Sequence, residues 1–524
     1  MRGAGIASGR AHRAWYPEGM ADTAHAAPVT LARRRAITAG LLLGISLAAL
    51  EATVVGTAMP TVVATLGGLA HYSWVFSAYL LTSTATVPIW GRLSDLYGRR
   101  RIYLGGVVVF LLGSMLSGIS QTMFQLIAAR AVQGLGAGAI VPLSVTIVGE
   151  LYTLAERGRT QALFSGVWGI ASIAGPLLGG YITDALSWRW VFYINLPFGV
   201  LSLAVIALSY PRRAETTRAR VDWLGAALMF AGVSALLLAV GGETGAGAVW
   251  LVASGVLLAL FTYVERRVVD PILPLALFRR PLIAYTSVVA FLFGAAMFGA
   301  VAFVPLYLQG VLGATATQAG QVLTPLFLGW VISSVLSARL TVRLGYRPMA
   351  IAGGVLLTAG FAGLALFTPD TSRFVMLGAC FTLGLGMGAS MLATLLAVQH
   401  GVERPMLGIA TSLNQFSRSI GGSVGVSAMG ALMTRALAGV PLPQGAVTSV
   451  SAIALTGMSR LQFAAALHQV FVAGAVIAVC ALAVTLLLPP VSFSRGVPPG
   501  AGEQMIAAEM TTLDPDEEPA GVLD

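Results

Sequence analysis

What most restricts this chain is a succession of fourteen apolar runs, each about as long as a bilayer is thick. They cover roughly 37–59, 73–91, 102–120, 124–149, 161–183, 190–210, 222–241, 248–265, 282–308, 319–338, 348–368, 374–399, 408–433 and 467–489. A membrane helix needs about 20 mostly apolar residues. The runs are rich in Gly, Ala, Leu and Val and show no alternating period, so they read as helices and not as barrel strands. Charged residues make up 10% of the chain, against about 25% in soluble domains. A soluble enzyme and a nucleic-acid-binding chain are therefore excluded, despite the net charge of +10. The expected fold class is an all-α polytopic membrane protein with 14 transmembrane helices, its main partner the lipid bilayer.

The residues that are missing narrow the chemistry. All 31 basic residues are arginine, and lysine is absent. This removes the Walker A phosphate loop and with it an ATP-driven pump, as well as any Schiff-base lysine. His12, His25, His71, His400 and His468 are scattered without metal-ligand spacing. Cys380 and Cys480 lie in apolar runs and read as small hydrophobes. No metal site, cofactor or catalytic residue is expected. Gly421-Gly422-Ser423-Val424-Gly425 formally fits a hydrolase nucleophile pattern, but it lies in a membrane run with no strand before it. The lysine-free, Ala-, Gly- and Arg-rich composition suggests a GC-rich bacterial genome, hence a bacterial cell membrane.

Arginine placement sets the orientation. With the N-terminus in the cytoplasm, 25 arginines fall in inside segments. Only Arg189, Arg373, Arg435 and Arg460 fall outside, and Arg130 and Arg418 lie within runs. One missed helix would reverse every later loop, so this asymmetry supports an even number of spans and two cytoplasmic termini. Residues 1–36 read as a cytoplasmic segment before an uncleaved first helix, with Met20 an alternative start. Residues 490–524 read as an acidic, solvated tail.

The runs also repeat. Gly91-Arg92-Leu93-Ser94-Asp95-Leu96-Tyr97-Gly98-Arg99-Arg100 after run 2 is echoed 247 residues later by Ala338-Arg339-Leu340-Thr341-Val342-Arg343-Leu344-Gly345-Tyr346-Arg347. Gly134-Leu135-Gly136-Ala137-Gly138 is echoed by Gly384-Leu385-Gly386-Met387-Gly388, and the glycine-rich stretch from Gly175 by that from Gly421. Three echoes in register imply two six-helix bundles, 37–210 and 267–489, with a helix pair inserted over 211–266. Duplicated bundles with a site at their interface are transporter architecture.

The loop Gly91–Arg100 resembles the cytoplasmic loop motif of the major facilitator superfamily. Leu126, Arg130, Gln133, Gly134 and Gly136 resemble its helix-4 motif, and Gly175-Pro176-Leu177-Leu178-Gly179-Gly180 its helix-5 antiporter motif, with Ala171 where Gly is usual. Leu50-Glu51-Ala52-Thr53-Val54-Val55 with Pro60, Ser187–Gly199 and Asp222-Trp223-Leu224-Gly225 are similar to its fourteen-helix drug:proton antiporter branch. Two positions depart from that pattern, Glu51 for the usual Asp and Gly56 for the usual Asn. The resemblance spans about 36–490. It implies a proton-coupled multidrug exporter working by alternating access, with protons and small amphipathic, chiefly cationic molecules as partners, acting as a monomer. A metabolite, siderophore or lipid as cargo on the same scaffold is the alternative.

Individual residues fit that expectation. Glu51 is the one acid well inside the first run. Burial favours a neutral carboxyl and an adjacent guanidinium an ionised one, so surroundings that alternate would load and release a proton. Glu51 lies about 12 Å and Arg130 about 9 Å from the outer surface at 1.5 Å per residue, so the two are expected to pair. Each alternatively serves structure alone. The resemblance gives a gating role to Gly91, Asp95, Gly98, Arg99 and Arg100, whose simplest alternative is topology control. It gives leak-sealing to Gly175, Pro176, Gly179 and Gly180, where a kinked, closely packed helix is expected. Candidate cavity residues are Trp74, Tyr79, Trp168, Phe291, Met297, Phe298, Gln415 and Arg418, because aromatic and Met surfaces suit apolar cations. Arg418, beside Asn414 and Gln415, has no acid near it in sequence; serving the cavity, binding an anionic group and packing are alternative readings.

Overall fold

A computed structural model describes residues 30–152, 154–211, 222–241, 246–268, 273, 275–402, 407–437 and 457–489. Among them, regular structure is entirely helical. Fourteen long helices coincide with the fourteen apolar runs. They are α1 (Leu31–Leu66), α2 (Tyr72–Tyr97), α3 (Arg99–Ile119), α4 (Met123–Leu151), α5 (Leu154–Ala185), α6 (Asn195–Ser209), α7 (Trp223–Gly241), α8 (Gly247–Glu265), α9 (Pro281–Gly310), α10 (Ala316–Leu344), α11 (Tyr346–Ala365), α12 (Arg373–His400), α13 (Leu407–Leu437) and α14 (Gly457–Leu486). Twelve, counting α6 together with the preceding turn as Trp190–Ser209, are long and apolar enough to cross a membrane by length and composition. The other two are α2 and α13, in which Ser77, Thr82 and Thr84, and Asn414, Ser423 and Ser427, respectively, are buried.

Three boundaries differ from the sequence expectation. The loop expected at Gly91–Arg100 is almost wholly helical, because α2 runs to Tyr97 and α3 starts at Arg99. The turn is confined to Gly98, whose φ of 85° favours glycine, while Gly91 is an ordinary helical residue. Gly345, at φ 89° between α10 and α11, repeats the same break. Run 190–210 is divided into a helical turn, Trp190–Tyr193, and α6. Finally, α14 starts at Gly457, ahead of the run expected from 467, and Arg460 anchors this start by donating from Nε to Val311 O at 2.6 Å. The N-terminal 29 residues, residues 438–456 between α13 and α14, and the acidic tail lie outside the described residues.

Packing follows the repeat. α4 packs on α2 and α3, and α1 on α5 and α6; likewise α12 packs on α10 and α11, and α9 on α13 and α14. The first six helices meet the last six through α5–α10, α2–α13 and α1–α9, and the α7–α8 hairpin lies with α7 on α2 and α13. The largest apolar cluster joins the two groups around Val54, Met59, Tyr72, Val301, Phe303, Leu323 and Met429. Hydrogen bonds reinforce that end. Gln309 Nε2 donates to Thr57 O at 2.8 Å, Thr61 Oγ1 to Gln309 Oε1 at 3.2 Å, and Ser77 Oγ lies 2.9 Å from Ser427 Oγ. Asp184 at the end of α5 accepts from Ala316 N at 3.1 Å and Thr317 N at 2.8 Å, satisfying amides that open α10.

Candidate functional site

The sequence reading puts Glu51 and Arg130 at similar depth, and the fold brings them into contact. Arg130 Nη1 donates to Glu51 Oε1, and the two residues are 2% and 3% exposed. Taking two charges out of water is costly, and their attraction offsets that only if the remaining donors and acceptors are also satisfied. The neighbours do this. Gln133, one turn along α4 from Arg130, accepts from Arg130 Nη1 at 2.6 Å and donates from Nε2 to Glu51 Oε2 at 2.8 Å. The i, i+3 spacing puts both on one face of the helix. Asn195, the first residue of α6, donates from Nδ2 to Glu51 Oε2 and to Ser114 Oγ, both at 3.0 Å. Ser114 in α3 then donates to Phe192 O at 2.8 Å. Arg130 Nε reaches Val75 O at 3.3 Å, and its guanidinium stacks 4.3 Å from the Tyr79 ring centroid.

Thus α4 and α6 bond directly to the Glu51 carboxylate of α1, and α2 and α3 hold Arg130 and Asn195 in turn. Each polar side chain bonded to Glu51 is a donor, which suits the ionised form. The exception to full satisfaction is Asn195 Oδ1, buried without a hydrogen-bond partner. Gln133 and Asn195 stand within the sequence motifs, but nothing in the sequence places them, or Ser114, at the carboxylate. A serine in an apolar run carries no such signal.

The glycine-rich stretch of α5 lies against α1 and α10. A Cβ on Gly175 would collide with Thr53 Oγ1, one on Gly179 with Thr57 Oγ1 and Val54 O, and one on Gly180 with the backbone of Ala316 and Thr317. Thr53 Oγ1 donates across to Ala171 O at 3.2 Å. Pro176 sits inside α5, which continues through it as one helix, and its carbonyl lies where a Cβ on Gly320 would be. Gly56 is matched to Val301 O, which a Cβ would meet at 3.0 Å; a larger Asn there would press on α9.

Of the expected gating residues, Arg99 pairs with Glu150 of α4 at 2.9 Å and donates to Ser94, and Arg100 donates to Ala207 O of α6. These bonds stay within the first six helices. The side chain of Asp95 lies outside the described residues. Asp222 caps α7, accepting from Gly225 N at 2.8 Å.

The candidate cavity residues do not form one cluster. Trp74 packs with Leu81, Val233 and Leu237, and Trp168 between the two largest apolar clusters. Tyr79 lies under Arg130. Met297 is in the core, with Phe298 against it, and the Phe291 backbone abuts Gly421. Gln415 is exposed and Arg418 half-buried on α13, bonded to each other.

Known proteins agree with this arrangement. The Major Facilitator Superfamily pattern matches residues 41–426. The chain is 39% identical over 408 residues to the multidrug transporter protein MdtP of Bacillus subtilis (strain 168), covering 76% of this chain and 75% of that protein. Over 405 residues it is 37% identical to multidrug resistance protein 3 of the same organism, covering 76% and 79% respectively. Its backbone is similar, with a TM-score of 0.66 and 15% identity, to a bacterial homolog of the human lysosomal transporter Spinster in an inward-facing, unoccupied conformation, covering 88% of this chain and 97% of that one. On fold and sequence together, the chain belongs to the Major Facilitator Superfamily and is a multi-pass membrane transporter, not an enzyme.

Proposed function

We propose that this transporter is a proton-coupled exporter of amphipathic, chiefly cationic compounds, working by alternating access in the fourteen-helix drug:proton antiporter branch. The observation that carries this reading is the buried Glu51–Arg130 pair with its ring of donors. Two relatives named for multidrug transport or resistance support the cargo class. In this reading the protein sits in a bacterial cell membrane with both termini in the cytoplasm. Its two six-helix bundles move about the inserted pair.

The coupling runs as follows. Ionised Glu51 holds Arg130, Gln133 and Asn195 together. A proton arriving on the carboxylate cancels its charge and weakens the bond to Arg130, which retains Gln133, Val75 O and the Tyr79 ring. The new O–H needs an acceptor, and a half-turn of the Asn195 amide would present Oδ1, now without a partner. The set of bonds among α1, α4 and α6 therefore depends on protonation. Thr57 lies six residues beyond Glu51 on α1, about 9 Å at 1.5 Å per residue, and its carbonyl is bonded to Gln309 of α9. A shift of α1 at Glu51 thus reaches the outer contact between the two groups along one rigid helix. Gly175, Gly179 and Gly180 keep α5 close to α1 and α10 so that the path stays sealed. Gly91, Asp95, Gly98, Arg99 and Arg100 hold the inner ends.

Resistance profiling of a pump-deficient bacterium expressing this chain tests the reading. Protection against cationic amphipathic dyes should vanish with an uncoupler and with Glu51→Gln. Protection that survives the uncoupler would contradict proton coupling, and a cargo panel in which only metabolites or lipids are exported would reassign the substrate.

A further inference from the structure

Arg418 is a second cation at membrane depth, and the coupling network does not use it. It lies eleven residues into α13, about 16 Å from the helix start at 1.5 Å per residue. Its Nη1 donates to Met391 Sδ of α12 at 2.8 Å, and its Nη2 to Gln415 Oε1. A thioether is a weak acceptor, and a guanidinium has five N–H donors. Among the described residues no carboxylate pairs with it. Glu51 and Arg130 cancel each other, so among the described residues nothing compensates the charge of Arg418, and at this depth such a charge is costly unless it faces water or an anion.

The faces of α13 show where it sits. Asn414, Gly421 and Gly425 turn to α9, through Thr286 O, Phe291 O and Ala295. Ser423 and Ser427 turn to α2 through Ser77. The side carrying Phe416, Ile420 and Val424 packs against the α7–α8 hairpin and α2. The remaining side carries Ser412, Gln415 and Ser419 at i, i+3 and i+7, of which the first two are exposed and the third half-buried. This polar stripe is flanked by α9 of one group and α2 of the other, so it looks into the gap between the groups. Gln415 on the stripe holds the guanidinium at its edge.

We propose that Arg418, with Gln415 and Ser419, is a subsite for a carboxylate or sulfonate group on the cargo. It rests on the transport reading above and deepens it: the accepted compounds include amphipaths with an anionic group, most readily zwitterions. The planar guanidinium still offers unused N–H groups in the fork geometry that a carboxylate matches. Gln415 Nε2 and the Ser419 hydroxyl add neutral donors.

A matched rhodamine pair isolates the group in question: the ethyl ester is a cation, and the free acid is the same ring system with a carboxylate added. Binding to the full-length purified protein is measured by fluorescence anisotropy in neutral detergent. Arg418→Gln should weaken binding of the free acid at least tenfold and leave the ester within twofold. Arg418→Lys keeps a charge without the fork and should fall between. If Arg418→Gln does not fold, the expected order is set by Arg418→Lys and Gln415→Ala, both losing free-acid preference. Equal effects on acid and ester, or no effect on either, would overturn the subsite. The same titration in phosphatidylglycerol and phosphatidylcholine nanodiscs separates cargo from lipid. Loss of the Arg418-dependent preference in phosphatidylglycerol alone would give the site to a lipid headgroup and overturn its assignment to cargo. Binding needs no gradient, so failure of proton-driven efflux in proteoliposomes would count against the coupling reading and not against this one.

Discussion

Glu51→Gln and Arg130→Gln, alone and combined, form a double-mutant cycle that measures how closed the coupling site is. Both partners are almost fully buried, at 3% and 2% exposure. Removing one partner of such a pair costs about 3–5 kcal/mol, because the other charge is left uncompensated. The two singles are not equivalent. Arg130 without its partner stays charged, whereas Glu51 without its partner can take a proton and become neutral, leaving the smaller cost of an ill-satisfied polar group, about 1–3 kcal/mol. Glu51→Gln should therefore destabilise more than Arg130→Gln. The double variant has neutral amides of similar size and should be more stable than Glu51→Gln alone. Its cost should fall short of the sum of the singles by up to about 3 kcal/mol. Unfolding in mixed micelles, followed by tryptophan fluorescence, gives all four values. Additivity within about 0.5 kcal/mol, the behaviour of independent sites, would mean that the pair is solvated and cannot drive coupling.

Other changes probe the closed end and the gate. Asp184→Ala removes a side-chain cap on α10 worth about 1 kcal/mol; spin-label distances between the outer ends of α5 and α10 should show the open population rising about fivefold, and an unchanged distribution would contradict a state-dependent cap. Gly180→Val drives a side chain into the backbone of Ala316 and Thr317, so dye efflux should be lost from membranes that still contain the protein, with Gly180→Ala intermediate. Asp95→Asn should insert normally, since arginines set topology, yet export poorly; normal efflux from well-expressed variant would reduce its segment to a topology signal.

The helices were legible because each needs only a run of apolar residues, and all fourteen runs became helices. What a run cannot tell is which way each face turns. Tyr79 and Trp74 carry the same aromatic signal, yet one stacks on Arg130 and the other packs beside α7. Glu51 and Arg130 were legible because an ionisable residue at membrane depth needs a partner and the helix rise fixes its level. Asn195, 144 residues from Glu51 in sequence, and Ser114 are placed only by packing of α6 and α3. Asp184 was likewise invisible, because an acid at a helix end normally reads as solvated. The loop at Gly91–Arg100 was expected from its charges and glycines, but only Gly98 needs a backbone that other residues avoid.

Dye binding to purified protein across a pH series decides whether the proton binds at Glu51. If, as proposed, a cationic dye and a proton compete for this carboxylate, wild-type affinity should rise with pH as the carboxylate loses its proton. Glu51→Asp keeps a titrating group and should keep the dependence with a shifted midpoint. Glu51→Gln cannot titrate, and its binding should be flat with pH. A Glu51→Gln protein whose dye binding titrates as the wild type does would place the proton site elsewhere and contradict the account.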